Sequence, residues 1–279
     1  MMRMVTLPDG VEVAALGQGT WKIGEGHYPA SQEAAAIRLG IELGLTLIDT
    51  AEMYGDGASE RVVGEAIAGL RERVFLVTKV YPHNASRNGV PAACARSLKR
   101  LGTEVIDLYL LHWRGGIPLA ETVAAFEKLK AEGRIRRWGV SNFDADDMTA
   151  LLSVPGGENC AANQVLYNPE YRGIEFDLLS WQASHRIPVM AYSPVGQGGR
   201  LLRNPALKAV AARHGVTPAQ VAIAWSLRHA NVISIPKAGA AQHVRENAAA
   251  GALVLAPEDL AEIDRAYKPP VRRQSLAML

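Results

Sequence analysis

The sequence predicts an α/β fold, a (β/α)8 TIM barrel with an N-terminal β-hairpin. Short apolar runs recur along the chain, each followed by a turn and then by a longer segment rich in Ala, Glu and Leu. Counting "LGQGT", there are eight such runs, and eight β-then-α units in one domain are typical of this barrel. A doubly wound sheet also alternates strands and helices, but no G-x-G-x-x-G follows any of the runs, so we rank it lower.

The elements can be assigned in order along the chain. "MVTLPDGVEVAAL" predicts a hairpin that turns on Asp9 and Gly10, because Asp-Gly is a strong hairpin signal. After "LGQGT", the predicted strands are "LTLID", "VFLVTK", "VIDLYLLH", "RRWGVSN", "AANQV", "IPVMAYS" and "VISIPK". Intervening segments such as "PLAETVAAFEKLKAEG" and "TPAQVAIAWSLRHA" have helical periodicity and begin at Pro or Thr. We therefore expect one domain over residues 1–279.

The composition is that of an ordinary soluble globular protein. Hydrophobic residues make up 48% of the 279 positions and charged residues 21%, and the net charge of +2 is spread along the chain. This charge gives little support for a nucleic-acid or membrane-surface partner. No segment approaches the ~20 apolar residues of a membrane span, so a cytoplasmic location is expected. Cys94 and Cys160 lie far apart without metal-like spacing, which predicts two buried thiols and no metal site.

Polar side chains stand where the predicted strands end. In a TIM barrel, the active site is built from the residues that end each strand and begin the following loop. The residues at these positions are Asp49, Lys79, His112, Ser141, Asn142, Gln164, Tyr192, Ser193 and Lys237. Packing does not explain polar groups at the same end of seven successive strands, because an apolar residue would otherwise close the barrel there. The pattern predicts an active site.

Four of the ionisable residues suggest a reaction. Tyr54 follows "LTLID" in the loop above Asp49, and a tyrosine with a pKa near ~10 is a poor proton donor at neutrality without help. The Lys79 ammonium would stabilise the phenolate, and Asp49 would keep that lysine protonated and oriented. His112 could donate a hydrogen bond to a carbonyl oxygen or share in proton transfer. A proton on a carbonyl oxygen is half of a reduction, and the hydride implies a nicotinamide cofactor.

Longer motifs occur in a specific order and spacing. They are "LIDTAEMYG", "SERVVGEAI", "VTKV", "DLYLLHW", "IRRWGVSNF", "NQVLYNP", "AYSPVGQG", "IPKAG" and "HVRENA". On these motifs the chain resembles the aldo-keto reductase family over essentially its whole length, and within it bacterial reductases of methylglyoxal and similar small aldehydes. The resemblance implies that Tyr54 is the general acid, that Lys79 and Asp49 tune it, and that His112 orients the substrate carbonyl. It also implies a monomer.

The resemblance further implies a cofactor site. Ser141, Asn142 and Gln164 would hold the nicotinamide carboxamide, whose donor and acceptor they can satisfy, and Tyr192 would stack against the ring. Backbone from Ser193 to Gly198 would lie along the pyrophosphate, where glycine permits close approach. The remaining implied contacts are Pro194 and Gly196 in that segment, and Lys237, His243, Glu246 and Asn247 at the adenosine.

The chain departs from the family pattern at the adenosine 2′-phosphate. The family usually has Ser or Thr after the last-strand lysine and an arginine a few residues later, whereas this chain has Ala238 and His243. A neutral histidine carries less charge and lacks the bidentate contact of arginine. Arg245 could replace it, although helix positions two apart face about 200° away from each other. Because Lys237 is kept, we expect NADPH as cofactor, with NADH possible and less strongly rejected than is usual in the family.

The substrate pocket is expected beside the catalytic positions. Trp21, Met53, Tyr81 and Trp113 would form an apolar wall around a small carbonyl compound. The C-terminal segment "KPPVRRQSLAML" is short and carries Arg272 and Arg273, which would favour a small or anionic substrate.

Two other functions remain open from the sequence. Lys79 at a strand end could attack a carbonyl carbon, as in a Schiff-base lyase, although the neighbouring Asp49 would keep it protonated and therefore oppose that role. The chain could also be a regulatory subunit that keeps the fold and the cofactor without useful turnover.

Overall fold

The structure is a computed structural model that describes residues 2–279, so Met1, the first residue of the predicted domain, lies outside the described residues. It begins with an antiparallel hairpin of β1 (Met4–Thr6) and β2 (Glu12–Ala14), which turns at the predicted Asp9-Gly10. Eight parallel strands follow: β3 (Gln18–Gly19), β4 (Leu47–Asp49), β5 (Phe75–Val80), β6 (Ile106–Leu111), β7 (Ile135–Ser141), β8 (Cys160–Leu166), β9 (Val189–Tyr192) and β10 (Val232–Ser234).

The first and last of these strands close the sheet into a barrel. Leu16 pairs with Ser234 and Gly19 with Lys237, both in parallel. The N–H of Gly17 donates to the Ser234 carbonyl at 2.9 Å. The predicted (β/α)8 barrel is therefore confirmed, and each of the eight predicted runs is a barrel strand.

Helices follow the strands and surround the barrel. They are α1 (Ala30–Glu42), α2 (Ala58–Ile67), α3 (Gly89–Leu101), α4 (Leu119–Ala131), α5 (Ala145–Leu152), α6 (Leu178–Ser184), α7 (Arg200–Arg203), α8 (Pro205–His214), α9 (Pro218–Ser226), α10 (Ala241–Ala250) and α11 (Pro257–Ala266). α7, α8 and α11 are additions to the repeat, and α8 packs against α11.

Local sequence explains where the helices begin and how closely they pack. α9 begins with a capping box, in which the Thr217 side chain accepts from the Gln220 N–H and Gln220 bonds back to Thr217. Gly64 allows α2 to lie against α3, because a Cβ there would be 2.8 Å from the Arg100 carbonyl oxygen. These contacts fix the helices that carry the strand-to-helix loops.

The hairpin closes the N-terminal end of the barrel. Val5, Leu7 and Val13 belong to the same buried apolar cluster as barrel residues such as Leu108 and Met190. Arg3 donates to the carbonyls of Leu227, His229 and Val232 at 2.8, 3.0 and 2.8 Å. The active-site residues therefore lie at the opposite end, where the strands finish.

Two further predictions concern the whole chain. Cys94 and Cys160 are free and buried, as predicted, and burial raises the pKa of each thiol to about 12. Between residues 2 and 279, no helix is both long and apolar enough to cross a membrane. The cytoplasmic location and the monomeric state stay predictions.

Candidate active site

The four predicted catalytic residues meet at the C-terminal end of β4, β5 and β6. Lys79 is fully buried on β5, and its Nζ donates to Asp49 Oδ2 at 2.8 Å and to the Thr50 carbonyl at 2.9 Å. A third bond joins Nζ to the Tyr54 hydroxyl at 3.1 Å. The three donors of the ammonium are thus all used, and the lysine is fixed between the carboxylate and the phenol.

Asp49 is held from a second side by Gln164. The amide Nε2 of Gln164 donates to Asp49 Oδ1 at 2.7 Å across the barrel, from β8 to β4. Both side chains are buried, so this hydrogen bond forms away from water. The sequence predicted only a cofactor role for Gln164, and strand position alone could not show that its amide reaches Asp49.

Burial and charge determine the protonation of this group. Burial lowers the pKa of Lys79, but the Asp49 carboxylate and Tyr54 outweigh it, so the pKa is raised overall. The ammonium therefore persists at neutral pH. A Schiff-base role would need a partly neutral amine, so this geometry disfavours that alternative.

Tyr54 is shifted in a direction that differs from the expectation. Burial raises the pKa of Tyr54, and the Lys79 ammonium opposes this shift without reversing it. Desolvation of the phenolate outweighs the attraction of one ammonium that is itself neutralised by Asp49. Tyr54 is therefore protonated at neutral pH, as a proton donor must be.

His112 directly follows β6 and is neutral. Burial, and then the charge of Lys79, lower the pKa of His112 to about 2. Its ring meets that of Tyr54 edge to face, with centroids 5.8 Å apart. Its buried Nδ1 has no hydrogen-bond partner among the described residues. Of the two roles considered from the sequence, the structure favours hydrogen bonding over proton transfer.

A pH profile of kcat/KM can check this state of His112. We expect no inflection near the ordinary histidine pKa of about 6.5, because the ring stays neutral throughout that range. The measurement is kcat/KM for a carbonyl substrate in wild type and in His112→Gln. An inflection near that pH that disappears in the variant would contradict the neutral imidazole.

The residues predicted to hold the carboxamide lie beside this group. Ser141 ends β7 and pairs in register with Gln164 on β8. Asn142 donates to the His112 carbonyl at 3.0 Å and accepts from the Tyr192 hydroxyl at 3.0 Å. Asn142 has a left-handed backbone, with φ of 59°. Such strain in a residue other than glycine is concentrated at functional sites, which supports a role for this turn.

The loop predicted to lie along the pyrophosphate follows β9. Ser193 also has a left-handed backbone (φ 49°), Pro194 is buried, and Gly196 has φ of 56°. Asn168 fixes this loop, since its Nδ2 donates to the Ser193 carbonyl at 2.8 Å. Sequence reasoning missed Asn168, although the Asn-Pro step in "LYNP" signalled a turn there.

The predicted adenosine residues follow β10. Lys237 is half-buried, and Asn247 on α10 is buried. His243 is largely exposed, and its Nδ1 lies 3.1 Å from Glu246 Oε2 on the same helix. Arg245 is exposed on α10. His243 is therefore engaged with a carboxylate, so it is a weak replacement for the family's arginine.

Aromatic rings form part of the predicted pocket wall. The rings of Tyr81 and Trp113 meet edge to face with centroids 5.9 Å apart, and the ring centroids of Trp113 and His112 are 5.1 Å apart. His83, which sequence reasoning missed, lies 4.7 Å from Tyr81. The other two predicted pocket residues stand on neighbouring loops: Met53 is half-buried after β4, and Trp21 is exposed after β3.

The C-terminal arginines do not support the expected anionic preference. Arg273 pairs with Asp146 at 2.8 Å, Asp177 at 3.1 Å and Asp144 at 3.6 Å. Three carboxylates balance its charge, so it offers no free cation to a substrate. Arg272 is exposed in the C-terminal segment.

The fold and this site together define the class of protein. The aldo/keto reductase family profile matches residues 15–268, so the chain belongs to the aldo/keto reductase family. It is 52% identical to methylglyoxal reductase YeaE of Escherichia coli (strain K12) over 99% of each chain. It is 35% identical to glyoxal reductase of Bacillus subtilis (strain 168), over 95% of this chain and 92% of that one. A crystal structure of an aldo-keto reductase from Klebsiella pneumoniae in complex with NADPH covers 100% of both chains at 52% identity, with a TM-score of 0.98.

Proposed function

We propose that the protein uses NADPH to reduce small aldehydes and ketones of the methylglyoxal type to alcohols. The observation that carries this proposal is the hydrogen-bonded row of Tyr54, Lys79 and Asp49, with Nζ at 3.1 Å from the phenol and 2.8 Å from the carboxylate. The similarity to a methylglyoxal reductase and to a glyoxal reductase supports the substrate class. The aromatic wall beside His112 supports a pocket for a small carbonyl compound.

The residues present fit a nicotinamide cofactor. Amide and hydroxyl groups of Ser141, Asn142 and Gln164 converge at the ends of β7 and β8, next to Asp49. A carboxamide needs such a mixture of donors and acceptors. Tyr192 would face the ring and Lys237 the adenosine phosphate. When bound, NADPH supplies the hydride.

The protein's own groups would handle the proton. Neutral His112 donates a hydrogen bond that orients the substrate carbonyl oxygen. Tyr54 then gives its hydroxyl proton to that oxygen, and the phenolate that develops is stabilised by Lys79. Asp49 keeps Lys79 charged throughout, and because the pair is buried its field is little screened by water.

The proposed function predicts turnover with both nicotinamide cofactors. We expect loss of nicotinamide absorbance when the protein is mixed with methylglyoxal and NADPH, and slower loss with NADH. His243→Arg should increase the preference for NADPH about tenfold, because one charge-assisted bond to phosphate is restored. Equal or better activity with NADH in wild type would show that Lys237 does not dominate the choice. Tight NADPH binding with very slow turnover across a broad carbonyl panel would favour the regulatory subunit.

A further inference from the structure

The loop between β3 and α1 lies beside the segment that follows β10. This neighbourhood follows from barrel closure, in which Gly19 pairs with Lys237. A Cβ built on Gly239 would lie 3.1 Å from Cδ2 and Cε2 of Tyr28, and 3.4 Å from Lys237 Nζ. The Tyr28 ring and the Lys237 ammonium therefore border the same glycine, and the missing side chain at Gly239 makes room for both.

The loop that carries Tyr28 is anchored in two places. Ile23 is buried in the core between barrel and helices. The N–H of Gly24 donates at 2.7 Å to Oε2 of Glu33, a fully buried carboxylate on α1. Tyr28 is 39% exposed, so one part of its ring faces solvent while another packs at Gly239. The packing at Gly239 therefore places the Tyr28 ring beside the segment that follows β10.

The charges around Lys237 leave room for an anion. The charges that shift the pKa of Lys237 are the carboxylates of Glu33 and Glu25, which raise it, and the ammonium of Lys22, which lowers it. Neither carboxylate forms a hydrogen bond with Lys237 Nζ, and burial lowers the pKa of this half-buried lysine. A half-buried ammonium without a close carboxylate partner interacts more strongly with a bound phosphate than an exposed one does.

Two phosphate contacts that are usual in the family are missing near this lysine in the sequence. Ala238 has no hydroxyl, and His243 is largely exposed and bonded to Glu246. The loop that follows β3 instead brings a side chain, Tyr28, close to Lys237.

We propose that Tyr28 and Lys237 form the two walls of the subsite for the adenosine 2′-phosphate, with the Tyr28 ring acting as the residue that favours NADPH over NADH. This inference rests on the proposed function, because it concerns the cofactor of that reaction. The ring would shield the ion pair between the lysine and the phosphate from water, because the Tyr28 ring and Lys237 Nζ border the same glycine. Tyr28 is thereby a specificity residue supplied by the first strand-to-helix loop.

The test measures binding of two small probes that need no turnover. We expect Tyr28→Ala to weaken binding of 2′,5′-ADP about five- to tenfold by calorimetry and to leave 5′-AMP unchanged, because water then screens the ion pair more strongly. Tyr28→Phe, which keeps the ring, should bind 2′,5′-ADP within twofold of wild type. In turnover, Tyr28→Ala should raise KM for NADPH and leave both kcat and KM for NADH unchanged. Phe176→Ala, at an exposed aromatic residue near α6, is the matched control.

The outcomes separate the two proposals. If wild type binds 2′,5′-ADP and Tyr28→Ala binds it equally well, the inference is wrong and the proposed function stands. If Tyr28→Ala loses 2′,5′-ADP and 5′-AMP to the same degree, the ring does not act on the 2′-phosphate, and the inference is again wrong. If wild type binds neither 2′,5′-ADP nor NADPH, the proposed function fails and the inference falls with it.

Discussion

Tyr54→Phe is expected to lower kcat for carbonyl reduction by about 10²- to 10⁴-fold, the usual contribution of a positioned general acid. The variant keeps the ring and its edge-to-face contact with His112, and removes only the hydroxyl that Lys79 contacts at 3.1 Å. Affinity for NADPH should change little, because the loss falls on proton delivery. The measurement is kcat from nicotinamide absorbance, together with the dissociation constant for NADPH from protein fluorescence.

Tyr109→Phe is a matched control for this change. Tyr109 is also fully buried, but its hydroxyl has no hydrogen-bond partner among residues 2–279, and its ring packs on Phe126 in the helical layer. Removing an unpaired buried hydroxyl should leave kcat unchanged and the free energy of unfolding unchanged or higher. A Tyr54→Phe variant with at least a tenth of wild-type kcat would mean that another group delivers the proton.

Lys79→Met is the second change with a large expected effect. It removes the ammonium that opposes the upward pKa shift of Tyr54, so that pKa rises further and kcat should fall about 10³-fold or more. The pH dependence of the reverse reaction, alcohol oxidation, shows the direction in which the pKa of Tyr54 has moved. Alcohol oxidation needs the phenolate, so its rate should increase with pH, and the increase should move to higher pH in the variant. An unshifted profile would show that Lys79 does not act on Tyr54.

Measuring the free energy of unfolding distinguishes an electrostatic role of Lys79 in catalysis from a role in folding alone. Lys79→Met leaves Asp49 buried with only Gln164 as a donor, and an unpaired buried charge costs about 3–5 kcal/mol. Combining it with Asp49→Asn removes that charge, so the free energy of unfolding should recover substantially. The activity should not recover, because the ammonium is still absent. If activity returned along with stability, Lys79 would have only a structural role.

Much of the fold could be predicted because its signals are local. A hairpin turn at Asp9-Gly10 and a helix start at Thr217 depend on residues that are neighbours in sequence. Strand-end positions then predicted the meeting of Asp49, Lys79 and His112, because parallel strands of one barrel end at the same face.

Other features depend on side-chain reach and could not be predicted. Gln164 contacts Asp49 although the two are 115 positions apart in sequence. Whether its amide can reach Asp49 depends on the width of the barrel, which the sequence does not show. The net pKa of Tyr54 depends on how much water burial removes, which no motif encodes. Arg273 looked like a free cation because the three carboxylates around it lie at the starts of α5 and α6, far earlier in the chain.

The hairpin under the barrel has a consequence for how the chain acquires its structure. Arg3 binds carbonyl groups more than 220 positions away, at Leu227, His229 and Val232. The hairpin is synthesised before the barrel strands, so Arg3 finds these partners only after β10 has left the ribosome. Contacts of such long sequence separation slow folding, because the loop between them must be closed first. Until then Val5, Leu7 and Val13 lack the part of their apolar cluster that β10 supplies, and apolar surface left exposed in a nascent chain favours chaperone binding.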